Sequence, residues 1–149
     1  MKLAIATDHG GYPLKKSILD YLSKNKISYL DLGSDSEDSV DYPDYALKVA
    51  QMVSTQKVDG GILLCGTGIG MAIVANKFKG VRAAVLPDIH SAKMSKAHNN
   101  VNVIALGGRV LEAENALDII RTWLETPFEN ARHSRRLAKI SEIEEENFK

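Results

Sequence analysis

One stretch near the middle of the chain has the sequence Val58-Asp59-Gly60-Gly61-Ile62-Leu63-Leu64-Cys65-Gly66-Thr67-Gly68-Ile69-Gly70-Met71-Ala72-Ile73-Val74-Ala75-Asn76-Lys77. An apolar run in it ends at Cys65, the only cysteine of the chain, and glycines follow at alternate positions, Gly66, Gly68 and Gly70. A helical pattern then begins. This order predicts a buried parallel strand, a tight backbone turn and the N-terminus of a helix.

The predicted turn is suited to holding negative charge. Glycines let backbone N–H groups approach a ligand closely, and the start of a helix adds partial positive charge. The thiol of Cys65 lies at the edge of this turn, where a helix N-terminus favours the thiolate. A thiolate beside amides that stabilise an oxyanion provides the groups needed to abstract a proton next to a carbonyl.

Two other interpretations of the same stretch stay open. A cysteine at the end of a buried strand is commonly a small hydrophobic residue without a chemical role. The glycines are also compatible with a dinucleotide-binding turn, although the G-x-G-x-x-G spacing fails at Met71 and the unit follows the third predicted strand. We therefore favour the proton-transfer interpretation.

The composition is that of a single globular domain spanning residues 1–149. Hydrophobic residues make up 44% of the chain, and 19 Lys plus Arg balance 19 Asp plus Glu. Zero net charge argues against bulk electrostatic binding to nucleic acid or to an anionic membrane. One cysteine cannot form an internal disulfide, and the sequence shows neither a signal peptide pattern nor an apolar run that could span a bilayer. We expect a cytoplasmic protein.

Strands and helices alternate along the chain, which predicts an α/β fold with a mostly parallel sheet covered on both faces. The predicted strands are residues 2–7, 27–32, the stretch ending at residue 65, 81–86 and 103–106. Helices are predicted from residue 13, from about residue 41, from the glycine turn to about residue 78, and over residues 91–98, 112–125 and 129–146.

Parallel sheets bind their ligands at the carboxyl ends of the strands. That edge is predicted to hold Asp8 and His9 after the first strand, residues 65–70 after the third, Asp88 after the fourth and residues 107–109 after the fifth. Asp8 and His9 are also compatible with a helix cap and a surface histidine.

The remaining polar candidates lie near helix ends. His98 and Asn99 are favourable residues at a helix C-terminus, and they also offer a titratable proton donor with an amide beside it. Arg132 and Arg136 share one helix face, where they either pair with acidic neighbours or hold a phosphate. The four histidines show no metal-binding spacing, so no metal is expected.

Taken together, these motifs resemble those of the ribose/galactose isomerase family, in particular its type B ribose-5-phosphate isomerases. The matching stretches are Asp8-His9-Gly10-Gly11, Asp41-Tyr42-Pro43, residues 60–70, Ala75-Asn76-Lys77, His98-Asn99, Gly108-Arg109-Val110, and Ala131-Arg132-His133 with Arg136. The resemblance implies a Rossmann-like three-layer α/β/α sandwich around a five-stranded parallel sheet. It also implies a homodimer or dimer of dimers with shared active sites, a sugar-phosphate substrate, and no cofactor or metal.

The resemblance implies a role for each matching residue. Cys65 moves the proton between C2 and C1 of the sugar with assistance from Thr67, and His98 helps to open the furanose ring. Backbone N–H groups of the turn stabilise the enediolate, and the helix at residues 129–146 contributes to phosphate binding and subunit contacts. His9, Arg132 and Arg136 hold the phosphate, with support from Arg109. The implied substrate-binding residues are Asp8, His9, Tyr42, Gly66, Gly68, Ile69, Gly70, Asn99, Arg109, Arg132 and Arg136.

The sequence departs from the family pattern at two places. Some members carry a glutamate base shortly after the turn, whereas Ile69 and Met71 surround that region here, which leaves Cys65 as the base. The family often has Gly-Gly before the Arg-His pair, where this chain has Asn130 and Ala131.

The expected activity is the reversible isomerisation of ribose 5-phosphate and ribulose 5-phosphate, with the thiol, the turn, a histidine and the arginine pair at one edge of the sheet. One alternative is an isomerase of a six-carbon sugar phosphate, such as allose or galactose 6-phosphate. Another is a nucleotide-binding module that uses the glycine turn.

Overall fold

The computed structural model describes residues 1–148 as a sheet of five strands with six helices. The strands are β1 Lys2–Thr7, β2 Ser28–Asp31, β3 Gly60–Cys65, β4 Ala83–Val85 and β5 Val103–Gly107. The helices are α1 Tyr12–Lys24, α2 Tyr42–Ser54, α3 Ile69–Ala75, α4 Ile89–Asn99, α5 Ala113–Glu125 and α6 Ala131–Asn147. In this part of the chain no helix combines the length and the apolar character needed to cross a membrane.

All strand pairings are parallel, in the order β2-β1-β3-β5-β4, so β3 is the central strand. Helices α1, α4 and α5 contribute to the apolar cluster on one face, and α2 and α3 contribute to the cluster on the other. The fold is therefore the three-layer α/β/α sandwich implied by the family resemblance.

The position of β3 at the centre of the sheet explains its continuous apolar sequence. The alternation of its side chains explains the side of the sheet on which the thiol lies. All six residues of β3 are buried, as expected for a strand covered on both faces. Ile62 and Leu64 belong to the cluster beneath α1 and α5, whereas Leu63 and Cys65 belong to the cluster beneath α2 and α3. Strand alternation thus places the sulfur on the α2–α3 side.

Several elements differ in extent from the sequence predictions. Helix α3 ends at Ala75 instead of residue 78, because the Asn76 side chain accepts from Ala83 N at 2.8 Å and donates to Ala83 O at 2.9 Å. The edge strands β2 and β4 are each shorter than predicted. Helix α4 begins earlier, at Ile89, because the Asp88 carboxylate caps it by accepting from Ser91 N.

Helix α6 begins at Ala131, two residues later than predicted. Glu129 N donates to Ala97 O at 3.0 Å, which ties this segment to α4 before the helix starts. Asn130 and Ala131 have positive φ values of 54° and 41°. Glycine adopts this backbone region without steric cost, whereas Asn130 and Ala131 each carry a Cβ there.

Candidate active site

The thiol of Cys65 points into the glycine turn. Its Sγ accepts a hydrogen bond from Gly68 N at 3.0 Å, and the residue is only 5% exposed. Gly68 has a φ of 85°, a conformation that favours glycine, and this conformation turns its N–H back toward the sulfur. The Thr67 hydroxyl accepts from Ile69 N at 3.3 Å. The turn therefore directs the N–H of Gly68 at the sulfur of Cys65, between the end of a buried strand and the start of a helix, as the sequence predicts.

Two side chains pack against the glycines of the turn. A Cβ at Gly70 would lie 2.6 Å from the Tyr42 ring, and a Cβ at Gly66 would lie 3.3 Å from the Arg109 guanidinium. Arg109 is also tied to the turn through its backbone, since its N–H donates to Gly66 O at 3.0 Å. Tyr42 and Arg109 thus lie against the turn, as expected for residues that line a pocket around it.

Asp8 and His9 extend the same edge from the neighbouring strand β1. The Asp8 carboxylate accepts hydrogen bonds from Gly10 N at 2.8 Å and from Gly11 N at 3.1 Å. Asp8 therefore stabilises the turn between β1 and α1. This turn contacts the first one, because a Cβ at Gly10 would lie 2.8 Å from Gly66 N. His9 Nδ1 accepts from the backbone N–H of residue 40 at 3.2 Å, which leaves a proton on Nε2 of the neutral ring for donation.

His98 and Asn99 lie at the opposite edge of the sheet. Helix α4 starts next to the carboxyl end of β4 and has 11 residues, which corresponds to a length of about 16 Å. It therefore returns to the amino edge, and the chain enters β5 at Val103 soon afterwards. Within one chain His98 and Cys65 thus lie at opposite edges, because the crossover between consecutive parallel strands runs backwards.

The loop after α4 is firmly held at this amino edge. Arg82 Nη2 donates to Asn100 O at 2.8 Å, and Arg82 Nε donates to Asn99 O at 3.2 Å. The indole of Trp123 donates to Val101 O at 2.9 Å. Burial lowers the pKa of Arg82 from its ordinary value, with Glu144 opposing that effect. These anchors fix the backbone that carries His98 and Asn99, and sequence reasoning missed them.

The first turn of α6 meets the end of α4. The rings of His98 and His133 stack with centroids 4.2 Å apart, and Glu129 Oε2 lies 3.8 Å from His98 Nε2 and 3.5 Å from His133 Nε2. Arg132 and Arg136 are exposed on the same helix. The arginine pair therefore belongs to the amino-edge group of its own chain, and its expected place beside the thiol stays a prediction that involves a partner subunit.

His133 is buried between charged neighbours. Its pKa lies below the ordinary value of 6.5, first because burial disfavours the charged ring and then because His98 and Arg132 repel a proton there. Glu129 acts in the opposite direction, and Arg136 adds a smaller repulsion. The ring is consequently neutral at neutral pH. No motif in the sequence singles out His133 or Glu129 together with His98.

The amino edge also carries an apolar groove of about 470 Å³ between α6 and the β4–α4 region. Ile140, Ile143 and Phe148 of the C-terminal segment contribute to its wall, although each is 40–60% exposed. Exposed apolar side chains also occur on α3, at Ile69 and Ile73. Both groups of candidate residues are thus bordered by apolar surface.

Comparisons with known proteins place this geometry in a family. The family model described as Ribose/Galactose Isomerase matches residues 3–140. The chain is 49% identical to a putative sugar phosphate isomerase of Bacillus subtilis (strain 168), with 99% of both chains covered. It is 44% identical to ribose-5-phosphate isomerase B of Escherichia coli (strain K12), with 97% of both chains covered.

Solved structures agree in fold over the same length. The ribose-5-phosphate isomerase B of Clostridium thermocellum superposes with a TM-score of 0.95 at 49% identity, covering 98% of this chain and 99% of that one. That of Mycoplasma genitalium, with bound ribulose-5-phosphate, superposes with a TM-score of 0.95 at 39% identity, covering 98% and 97%. The chain therefore belongs to the ribose/galactose isomerase family and to its type B ribose-5-phosphate isomerases.

Proposed function

We propose that this chain interconverts D-ribose 5-phosphate and D-ribulose 5-phosphate, a step of the non-oxidative pentose phosphate pathway. The observation that carries the proposal is the Cys65 sulfur held 3.0 Å from Gly68 N inside the glycine turn. The relatives support the substrate, since one is named ribose-5-phosphate isomerase B and another holds ribulose-5-phosphate.

The reaction begins when His98 assists opening of the furanose ring. Cys65 as thiolate then removes the proton from C2, and the electron pair moves through C1 onto the carbonyl oxygen. Backbone N–H groups of the turn stabilise this oxygen, a contribution of about 3–4 kcal/mol for one good donor. The sulfur returns its proton to C1 while the proton on O2 passes to O1, so an aldose becomes a ketose.

The other predicted site residues bind and orient the sugar. Thr67 assists beside the sulfur, Asn99 holds the reacting oxygens, and Asp8 and Tyr42 contact the sugar hydroxyls and the pocket wall. The phosphate is held by His9, Arg132 and Arg136, with Arg109 supporting that end. Because the phosphate is remote from C1 and C2, its binding energy serves orientation.

We further propose that the active site is shared between two subunits. Within one chain the thiol group lies at the carboxyl edge and the His98 group lies at the amino edge, so one chain cannot close one site around a five-carbon sugar. A two-fold dimer solves this, because each carboxyl edge can face the partner's amino edge. The exposed apolar residues of α3 and α6 offer the contact surface.

The expected cytoplasmic location stays a prediction.

A substrate panel tests the reaction. We expect kcat/KM to be highest for ribose 5-phosphate and at least about tenfold lower for allose 6-phosphate and galactose 6-phosphate, which corresponds to about 1.4 kcal/mol of transition-state discrimination. A higher kcat/KM for either hexose phosphate would support the six-carbon alternative. A rise in Tm with a nucleotide, with none from pentose phosphates and no turnover, would support the nucleotide-binding alternative.

A further inference from the structure

Three potential metal ligands converge where α4 meets the start of α6. One atom from each of His98, Glu129 and His133 lies within 4.8 Å of the other two. Two of the separations are 3.8 Å and 3.5 Å, each from Glu129 Oε2 to an imidazole Nε2. Ligand atoms bound to one tetrahedral Zn²⁺ lie about 3.3 Å apart, so small movements bring this set into range.

An unpartnered atom in this cluster independently points to a ligand. His133 is 4% exposed, and its Nε2 is buried without a hydrogen-bond partner within residues 1–148. Buried polar atoms are rarely left unpaired, and each one calls for an explanation such as a proton, a water or an ion. The two groups beside His133 Nε2 are the Glu129 carboxylate and the His98 imidazole. Both can donate an electron pair, so the three groups together suit a cation.

The identity of the donors selects the type of cation. Two imidazoles and one carboxylate are a recognised ligand set for Zn²⁺ that leaves a fourth position for water, whereas Mg²⁺ and Ca²⁺ prefer oxygen ligands. The His98 ring is the one that must turn to direct its lone pair inward, since the rings now stack at 15°. Its side chain is 35% exposed and has room to do so, whereas that of His133 is only 5% exposed.

The surrounding charges limit the affinity. Arg132 and Arg136 are on the same helix as His133, and their positive charge opposes a cation. We therefore expect a reversible site for added zinc and no permanent structural ion.

We infer that His98, Glu129 and His133 form a site for Zn²⁺, and that its occupancy inhibits the enzyme by withdrawing His98 from the substrate. The inhibitory part rests on the proposed function, because only there does His98 act on the sugar. Zinc binding itself depends on the cluster alone. No bond to the substrate is formed or broken by the ion.

The first experiment measures binding of Zn²⁺ alone to the full chain by calorimetry, after removal of metals with a chelator. We expect one ion per chain, with the affinity reduced about tenfold or more in Glu129→Gln and in His133→Asn. The matched controls are Glu125→Gln and His90→Asn, which change exposed residues on α5 and α4. A Cys65→Ala chain should bind zinc as the unmodified chain does.

Absence of binding would overturn the inference, and so would binding that Glu129→Gln leaves unchanged or that Cys65→Ala removes. Glu129 is exposed, so its variant keeps the test valid even where the buried His133 variant folds poorly.

The second experiment measures inhibition of turnover. We expect the zinc concentration for half-inhibition, measured relative to the zinc-free activity of each enzyme, to be about tenfold or more higher in Glu129→Gln than in the unmodified enzyme. Equal sensitivity of the Glu129→Gln and unmodified enzymes would overturn the inhibitory role. Failure of the proposed isomerase activity would leave the calorimetric result standing, which distinguishes the two conclusions.

Discussion

Cys65 combines two environments that ordinarily occur at different cysteines. On one side it packs with apolar residues of α2 and α3, among them Met71 and Ala72, as a structural cysteine does. On the other side its sulfur accepts from a main-chain N–H of the glycine turn. The apolar neighbours restrict the thiol to one position, and in that position its sulfur faces the N–H of Gly68.

Replacing Cys65 with alanine removes the proposed base, together with the hydrogen bond that its sulfur accepts from Gly68 N. We expect kcat to fall by about 10²–10⁴-fold, the range for a positioned general base, while KM changes little. Steady-state kinetics and calorimetric binding of ribose 5-phosphate measure the two effects separately. Turnover close to that of the unmodified enzyme would contradict the assignment of the base.

His133 makes stability depend on pH in the acidic range. Burial lowers its pKa below the ordinary 6.5, helped by His98, Arg132 and Arg136 and opposed by Glu129. Well above pH 6.5 the His133 ring is neutral in both the folded and the unfolded chain. As the pH falls below about 6.5, the unfolded chain takes up a proton that the folded chain resists, so the free energy of unfolding decreases.

We therefore expect Tm to fall between about pH 7.5 and pH 5.5, and to fall less in His133→Asn than in the unmodified chain. Thermal unfolding at several pH values measures this difference. His90→Asn is the matched control, since it makes the same substitution at an exposed histidine. Parallel curves for the His133→Asn and unmodified chains would contradict the prediction.

The turn between β3 and α3 depends on a glycine with positive φ. Gly68 has a φ of 85°, and a Cβ there would lie 3.1 Å from the backbone carbonyl of Ala105. Gly80 has a similar φ of 79° but nothing within 4 Å of the added Cβ. An alanine at Gly80 would therefore introduce backbone strain alone, whereas an alanine at Gly68 would add a close contact with β5.

We expect Gly80→Ala to lower the free energy of unfolding by about 1–2 kcal/mol, the cost of a left-handed conformation in a residue with a Cβ. Gly68→Ala should cost more and should also lower kcat, because the strand contact displaces the N–H that faces the sulfur. Denaturant unfolding and steady-state kinetics measure both variants. Equal effects of the two substitutions on stability and activity would contradict this account of the turn.

The elements themselves could largely be predicted from local patterns. The apolar run of β3 and the glycines after it determine a strand, a turn and a helix with little help from the rest of the chain. The end of α3 could not be predicted, because the Asn76 side chain stops it by pairing with Ala83 across a loop. The start of α6 is set in a similar way, by the hydrogen bond from Glu129 N to Ala97 O.

At the scale of the whole molecule, the common edge of the candidate residues after β1, β3 and β5 could be predicted, whereas the position of His98 at the opposite edge could not. Residues 8–9, 65–70 and 107–109 follow strands, so their common edge follows from the parallel sheet. His98 follows a crossover helix, which reverses its edge. Its contact with His133 joins segments far apart in sequence, and no periodicity encodes such a contact.

The division of the site between two edges leads to a prediction about assembly. If one active site combines Cys65 of one subunit with His98 of its partner, a mixed dimer of Cys65→Ala and His98→Asn chains contains one site with both residues intact. Random pairing makes half of the dimers mixed, so refolding the two inactive variants together should restore about a quarter of the unmodified activity. Size-exclusion chromatography with light scattering should show dimers or larger multiples, and each variant refolded alone should stay inactive. Because a site contained within one chain would leave every mixture inactive, a lack of recovery in confirmed mixed dimers would overturn the shared site.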